Sequence, residues 1–279
     1  MSETFKRSCQ HWSEAKRGEM EAFYALATAD YRVLAEAMDW RGWLEARQAT
    51  VRDRPLRLLD VACGSGKFPV ALATHAGVAE AAIRPIAYSL LDPSAFSIAE
   101  ARSSLPWPFW AADEYEVALQ DLDCPRGAFD IAWATHALYA IPPGELDQAA
   151  GRFLHALGDT GVGVIAHSAA SGHYVRFHQN FLEAFGGDPG QLYSSAEQVK
   201  AALEAHGASV EVHEIAYENG VPDSAREQVA GFLQRCAFDD RFSLEKMLTT
   251  EPVAGYLAPC LRDGQWRFPQ CAHLMIVTP

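Results

Sequence analysis

The spacing of apolar residues changes character twice along the chain. From about Ser13 to Arg47, Phe23, Leu26, Ala27, Tyr31, Leu34 and Met38 recur at helical spacing with Asp30 and Glu36 among them, which predicts two helices ahead of the main fold. After Pro55 this gives way to short apolar runs alternating with amphipathic stretches. LRLLDVA (56–62), PIAYSLL (85–91), PFWA (108–111), FDIAWAT (129–135) and VGVIAHS (162–168) read as buried strands, with helical patterns near 67–75, 94–104, 145–157 and 173–185. Such alternation implies βαβ units, and unbroken apolar runs imply a parallel sheet covered on both faces. Toward the C-terminus, SVEVHEI (209–215) and HLMIVT (273–278) predict an antiparallel edge pair, separated by a mostly helical insertion at about 222–258. The expected class is α/β: a doubly wound, mostly parallel, seven-stranded sheet with an antiparallel C-terminal strand. Residues 1–50 form a helical lid, and residues 51–279 form one domain that carries the insertion before its last strand.

The most informative segment is Leu58-Leu59-Asp60-Val61-Ala62-Cys63-Gly64-Ser65-Gly66-Lys67-Phe68, a strand that ends in a small-residue turn and runs into a helix. Open parallel sheets bind ligands beyond the carboxyl ends of their strands. Gly64 and Gly66 allow the main chain to approach such a ligand closely. A dinucleotide fingerprint, G-x-G-x-x-G, needs a third glycine where this chain has Pro69. The competing pattern is D-x-x-x-G-x-G, with the acid ahead of the glycines and a ligand that has no pyrophosphate. The second strand ends at Asp92, 26 residues beyond Gly66, against about 20 for the usual ribose-binding acid of dinucleotide folds. A carboxylate there can accept hydrogen bonds from both hydroxyls of a ribose.

Composition narrows the partners. The 279 residues hold 23 Lys plus Arg against 36 Asp plus Glu, a formal charge of −13, which repels phosphate backbones and anionic membranes. Nucleic acid and membrane partners are therefore not expected. Six cysteines contain no C-x-x-C pair, and several lie inside apolar runs, which argues for reduced thiols and against a zinc ribbon. The first thirty residues hold no apolar core of signal-peptide length, and no run reaches the ~18 apolar residues of a membrane span. The expected setting is the cytoplasm.

With LLDVACGSG followed by LLDPS, the chain resembles the Rossmann-like (class I) S-adenosylmethionine-dependent methyltransferases. From about residue 20 onward it is similar to the histamine N-methyltransferase family: LLDPSAFSIAEAR, Asp113-Glu114-Tyr115, FDIAWATHALYAI, SAASGHYVRF, QLYSSAEQVKAALEAHG and CAHLMIVT follow in the family's order. The resemblance implies that S-adenosylmethionine is the cofactor and S-adenosylhomocysteine the product, with no metal. It implies that Asp60, Gly64, Ser65 and Gly66 form the loop that receives the cofactor and that Asp92 holds the ribose. Ser97 and Asp113 would lie near the nucleoside, and Thr135 beside the adenosyl group. His136 matches a polar substrate contact after the fourth strand, and Asp30 matches an acid that binds the substrate amine. Tyr24, Tyr139, His173, Phe177 and Cys271 would line the substrate pocket. Where the histamine-methylating member has amides, this chain has His136 and Cys271, so its hydrogen-bond pattern toward substrate differs.

The implied reaction is an in-line displacement that needs mainly positioning, worth several kcal/mol. A group that accepts the nucleophile's proton adds roughly 10²-fold, and Asp30 and His136 are the candidates. The expected partner is a small aromatic or heterocyclic amine, methylated at nitrogen or at an electron-rich ring carbon such as that of an indole. The chain itself would be a monomer or homodimer. Two other functions share the sheet: a nicotinamide-dependent oxidoreductase, disfavoured by Pro69 and the long gap to Asp92, and a non-catalytic cofactor-binding module. Read without the resemblance, Asp30 is a solvated helix acid and His136 a satisfied core histidine. His173 and His178, five apart and lacking H-E-x-x-H, are not zinc ligands. Trp12, Phe23, Tyr24, Tyr31, Trp40 and Trp43 suit either a lid over an aromatic substrate or an ordinary helix core.

Overall fold

A computed structural model describes residues 3–51, 53–80, 83–186 and 192–279. Residues 1–2 of the expected lid segment and Gln191 of the QLYSSAEQVKAALEAHG stretch lie outside them. Helices α1 (Glu3–His11), α2 (Arg17–Glu36) and α3 (Trp40–Thr50) precede the sheet. Three helices thus stand where apolar spacing predicts two, because ETFKRSCQH of α1 carries almost no apolar signal. Then follow β1 (Leu56–Val61), α4 (Lys67–His75), β2 (Ile86–Leu91), α5 (Ala95–Ser104), β3 (Phe109–Tyr115), β4 (Ile131–Thr135), α6 (Leu146–Leu157) and β5 (Val162–Ser168). The C-terminal part comprises α7 (His173–Phe185), α8 (Ala196–Ala205), β6 (Ser209–Pro222), α9 (Arg226–Ala237), α10 (Leu244–Met247), α11 (Val253–Leu257), β7 (Leu261–Arg262) and β8 (Gln265–Thr278).

The strands lie in the order β3-β2-β1-β4-β5-β8-β6, with the two-residue β7 paired to β8 as an eighth strand. The first five run parallel, and β8 is antiparallel to both β5 and β6. Every residue of β4 and β5 is buried, as a sheet covered on both faces requires. Alternate side chains divide between the faces: Leu58 and Trp133 pack on one side, Leu59, Ala132 and Ala134 on the other. Helix α6 covers the second face with Leu146, Ala149, Ala150, Phe153, Leu154 and Leu157, a spacing that forms one continuous stripe.

One expectation needs correction: the third strand extends to Tyr115, which places Asp113 inside β3. The antiparallel pair expected at the edge is present, with β6 outermost. β8 lies between β5 and β6, where its main chain is bonded on both sides and Trp266, Phe268, Leu274, Met275 and Val277 are buried. A third apolar cluster joins α2 (Leu26, Ala27) to α7 (Phe177, Phe181), α9 (Val229, Phe232) and β8 (Phe268). The N-terminal helices and the helical stretch after β6 are thereby packed on each other. Among the described residues no helix is long and apolar enough to cross a membrane.

Candidate active site

Strand order reverses at β1, which lies between β2 and β4, and there the carboxyl ends of the strands part. The gap opens into a cavity of about 1280 Å3, mouth included. Its floor comes from Asp60 to Gly64 at the end of β1, Leu91 to Ser94 at the end of β2 and Thr135 to Ile141 at the end of β4. Its roof comes from α1 and its following turn (Ser8, Cys9, Trp12), α2 (Phe23, Tyr24, Asp30, Tyr31), α7 (Tyr174) and the end of α9 (Arg235, Cys236, Phe238).

At the strand ends the main chain supplies the structure. Gly66 caps α4 at φ 69°, and a β-carbon there would collide with Ser104 Oγ and stand 3.1 Å from the Cα of Ala101. Gly64, at φ 52°, faces open space up to the Tyr24 hydroxyl, 3.6 Å from where a β-carbon would sit. Its N–H donates to Asp92 Oδ2 at 3.1 Å, and the Ser94 N–H donates to Oδ1 at 2.9 Å. Burial nevertheless pushes the Asp92 carboxyl up to about 6, against the pull of these bonds. Asp60 accepts from the Tyr88 phenol at 2.6 Å, and burial raises it to about 7. Asp60, Gly64, Asp92 and Thr135 line the cavity. Ser65 and Gly66 shape the turn beneath it, and Ser97 and Asp113 stand behind the wall without reaching the cavity surface.

In the helical half, side chains from distant segments meet. Asp30 is buried in α2, where it accepts from the Tyr174 phenol through Oδ2 and from Asn219 Nδ2 through Oδ1 at 2.8 Å. Burial raises it to about 6. His136 follows β4 at φ 52°, in the left-handed region that disfavours side chains. Ala62, His136 and Phe238 are three of four described non-glycine residues with positive φ, and all three line the cavity. Such strain gathers where a site is held by its surroundings.

The His136 ring fixes its own tautomer. Tyr139 Oη accepts from the Ser168 N–H at 3.1 Å and lies 2.8 Å from His136 Nδ1. Burial holds the Tyr139 phenol far above its usual range, so it keeps its proton. Donating that proton to Nδ1 satisfies both groups and places the imidazole hydrogen on Nε2, which has no partner among the described residues. Burial also drives His136 down to about 4. The neutral ring therefore offers a donor rather than a lone pair.

Three residues expected at the substrate wall lie elsewhere. His173 is fully buried, bonded through Nδ1 to the Tyr256 hydroxyl at 2.9 Å and stacked against Phe177 and Phe232. Phe177 belongs to the same apolar cluster, away from the cavity. Cys271 lies on β8 beside Glu214 and His273, with ligand atoms within 4.8 Å of one another, again outside the cavity. Tyr24 does line it, but beside the glycine loop, with Lys67 Nζ 4.7 Å above its ring. Trp12, Phe23 and Tyr31 are roof residues, whereas Trp40 packs on Phe68 in the core. Sequence reasoning missed Tyr174, Tyr193, Gln120 and above all Arg235. The signal for Arg235 was its place three residues after Phe232, a cation on the apolar side of a helix.

Residues 29–213 match the model of the methyltransferase domain family. No curated protein sequence matches the chain. Among solved structures, magnesium protoporphyrin IX methyltransferase from Synechocystis PCC 6803, bound to SAH, superposes with a TM-score of 0.56 at 13% identity, over 99% of this chain and 100% of that one. The YcgJ protein from Bacillus subtilis superposes with a TM-score of 0.53 at 13% identity, over 83% and 95% respectively.

Proposed function

Because the chain belongs to the methyltransferase domain family, we propose that it methylates a small aromatic or heterocyclic amine with S-adenosylmethionine, at nitrogen or at an electron-rich ring carbon such as that of an indole. The observation that carries this reading is that one cavity joins the Gly64–Asp92 strand ends to the buried acid Asp30. The residues fit the cofactor. Gly64 keeps open the space a side chain would fill, and Asp92, bonded by the Gly64 and Ser94 N–H groups and the Ser97 side chain, lines the cavity with acceptor capacity left for a ribose hydroxyl. When bound there, the cofactor supplies an activated methyl group on a sulfonium.

The chain's own work is then positioning and proton handling. Asp30, held by Tyr174 and Asn219, receives the substrate ammonium or the proton it gives up. Ionised above about pH 6, it is poised near neutrality for that task. His136 fixes the acceptor's orientation through its Nε2–H instead of taking a proton. Tyr31, Tyr139 and Tyr174 pack around the His136 ring and exclude water from the acceptor. The N-terminal helices serve as the lid, and six unbridged cysteines support a reducing, cytoplasmic setting.

Calorimetric titration with S-adenosylmethionine and S-adenosylhomocysteine, with NAD and NADP as controls, tests the cofactor. Binding of the adenosyl sulfur ligands alone is the expected result, followed by a mass gain of one methyl on members of an imidazole, indole and phenethylamine panel. Binding of NAD or of nothing refutes the reading.

A further inference from the structure

Among the described residues Arg235 is a buried guanidinium with two unbonded donor nitrogens. It stands near the end of α9, 2% exposed, and lines the cavity. Nη1 donates to the His11 carbonyl, and the guanidinium lies 4.7 Å over the Trp12 ring. Nε and Nη2 have no hydrogen-bond partner among the described residues. Among the described residues no carboxylate forms an ion pair with it, and Glu19 acts on it only at longer range. The groups around it, Tyr24, Tyr193 and Cys236, are buried and neutral. A buried guanidinium with idle donors is costly unless an anion completes it, and its fork matches a carboxylate in two parallel bonds.

The acid Asp30 lines the same cavity, and its charge reaches Cys236, the residue next to Arg235. One wall thus offers a carboxylate and another a guanidinium, with Tyr139, Tyr174 and Tyr193 also among the lining side chains. We propose that Arg235 is the receptor for a carboxylate on the acceptor, so that the substrate is an aromatic or heterocyclic amino acid rather than a simple amine. This deepens the methyltransferase reading and rests on it. Arg235, Cys236 and Phe238 reach the cavity from the insertion, and the neighbouring Tyr24 extends from Arg235 toward the Gly64 turn. A carboxylate at Arg235 has a second source in the aminoacyl end of the cofactor, and the test separates the two.

Wild-type protein and the variants Arg235→Gln and Arg235→Lys are titrated with S-adenosylhomocysteine. With that ligand at saturation they are then titrated with tryptophan, histidine and phenylalanine against tryptamine, histamine and phenethylamine. The expected result is at least one amino acid bound tenfold or more tighter than its decarboxylated partner by wild type. Arg235→Gln erases that preference, Arg235→Lys keeps part of it, and S-adenosylhomocysteine affinity stays within about twofold throughout. Wild type without any such preference, including no binding of any pair, overturns the proposal while the methyltransferase reading stands on the S-adenosylhomocysteine titration. A tenfold loss of S-adenosylhomocysteine affinity in Arg235→Gln assigns the guanidinium to the cofactor and also overturns it. If Arg235→Gln does not fold, Arg235→Lys and the wild-type preference decide alone. Wild type that fails to bind S-adenosylhomocysteine overturns the underlying function instead.

Discussion

The two halves of the cavity are built on different principles. At the strand ends, Asp92 is held by the N–H groups of Gly64 and Ser94, so the partners are main-chain atoms of two turns whose strands pair directly. In the helical half, Asp30 meets Tyr174 across 144 residues and Asn219 across 189, side chain to side chain. A site made of backbone donors needs only that a turn has its shape, and small residues secure that shape. A site made of side chains from α2, α7 and β6 exists only once those elements have packed. The first half should therefore be sensitive at few positions and severely so, the second at many positions and more mildly.

The widest separation between the halves is expected from Asp92→Ala. Losing the charge-assisted bond to a ribose hydroxyl should cost about 3 kcal/mol, or roughly 100-fold in S-adenosylhomocysteine affinity by calorimetry. Asp30→Asn should leave that affinity within about twofold. Gly66→Ala comes next: a left-handed φ and a clash with Ser104 Oγ should remove about 2 kcal/mol of unfolding stability in urea. Stability equal to wild type would show that α5 yields and that the turn is not rigid.

Asp30→Asn should lower kcat/KM toward the accepted amine about tenfold, measured in steady state with the cofactor saturating. A comparable loss of S-adenosylhomocysteine binding would mean that the two halves are not separable. Acid gives a similar magnitude on the other side. Asp92 titrates near 6 in the folded protein, so its charged form is about a tenth populated at pH 5. S-adenosylhomocysteine affinity should fall about tenfold from its plateau as pH drops to 5, and Asp92→Asn should flatten that slope. The smallest effect is expected from Tyr139→Phe, which strips a partner from His136 Nδ1 and the Ser168 N–H and should cost about 1 kcal/mol of stability. Cofactor affinity should not change.

The same contrast explains what could be read in advance. The Asp60–Gly66 loop and Asp92 were legible because each is a short motif closing an apolar strand, and the direct pairing of β1 with β2 brings the two strand ends together. Asp30 and His136 were named from a family pattern, which correctly anticipates that they line the cavity but not that the Tyr139 phenol makes His136 a donor. His173 and Phe177 were expected at the wall from the family resemblance, which carries no information on how α7 is rotated. In the fold, α7 turns them into the cluster with Phe232 and presents Tyr174 to the cavity instead. Arg235 carried no local mark beyond its place on an apolar helix side.

Periodicity determined the parallel core, the helices between its strands and the helical insertion, since each is dictated by which side chains must leave water over a span of ten residues. The glycine turn and its acid were likewise written in short stretches. Only the tertiary structure decided that β8 lies inside the sheet, which side of α7 faces the cavity and that Arg235 is buried at its wall. Those outcomes depend on contacts between segments from about forty to more than two hundred residues apart, and burial of a side chain is set by what covers it rather than by its neighbours in the chain.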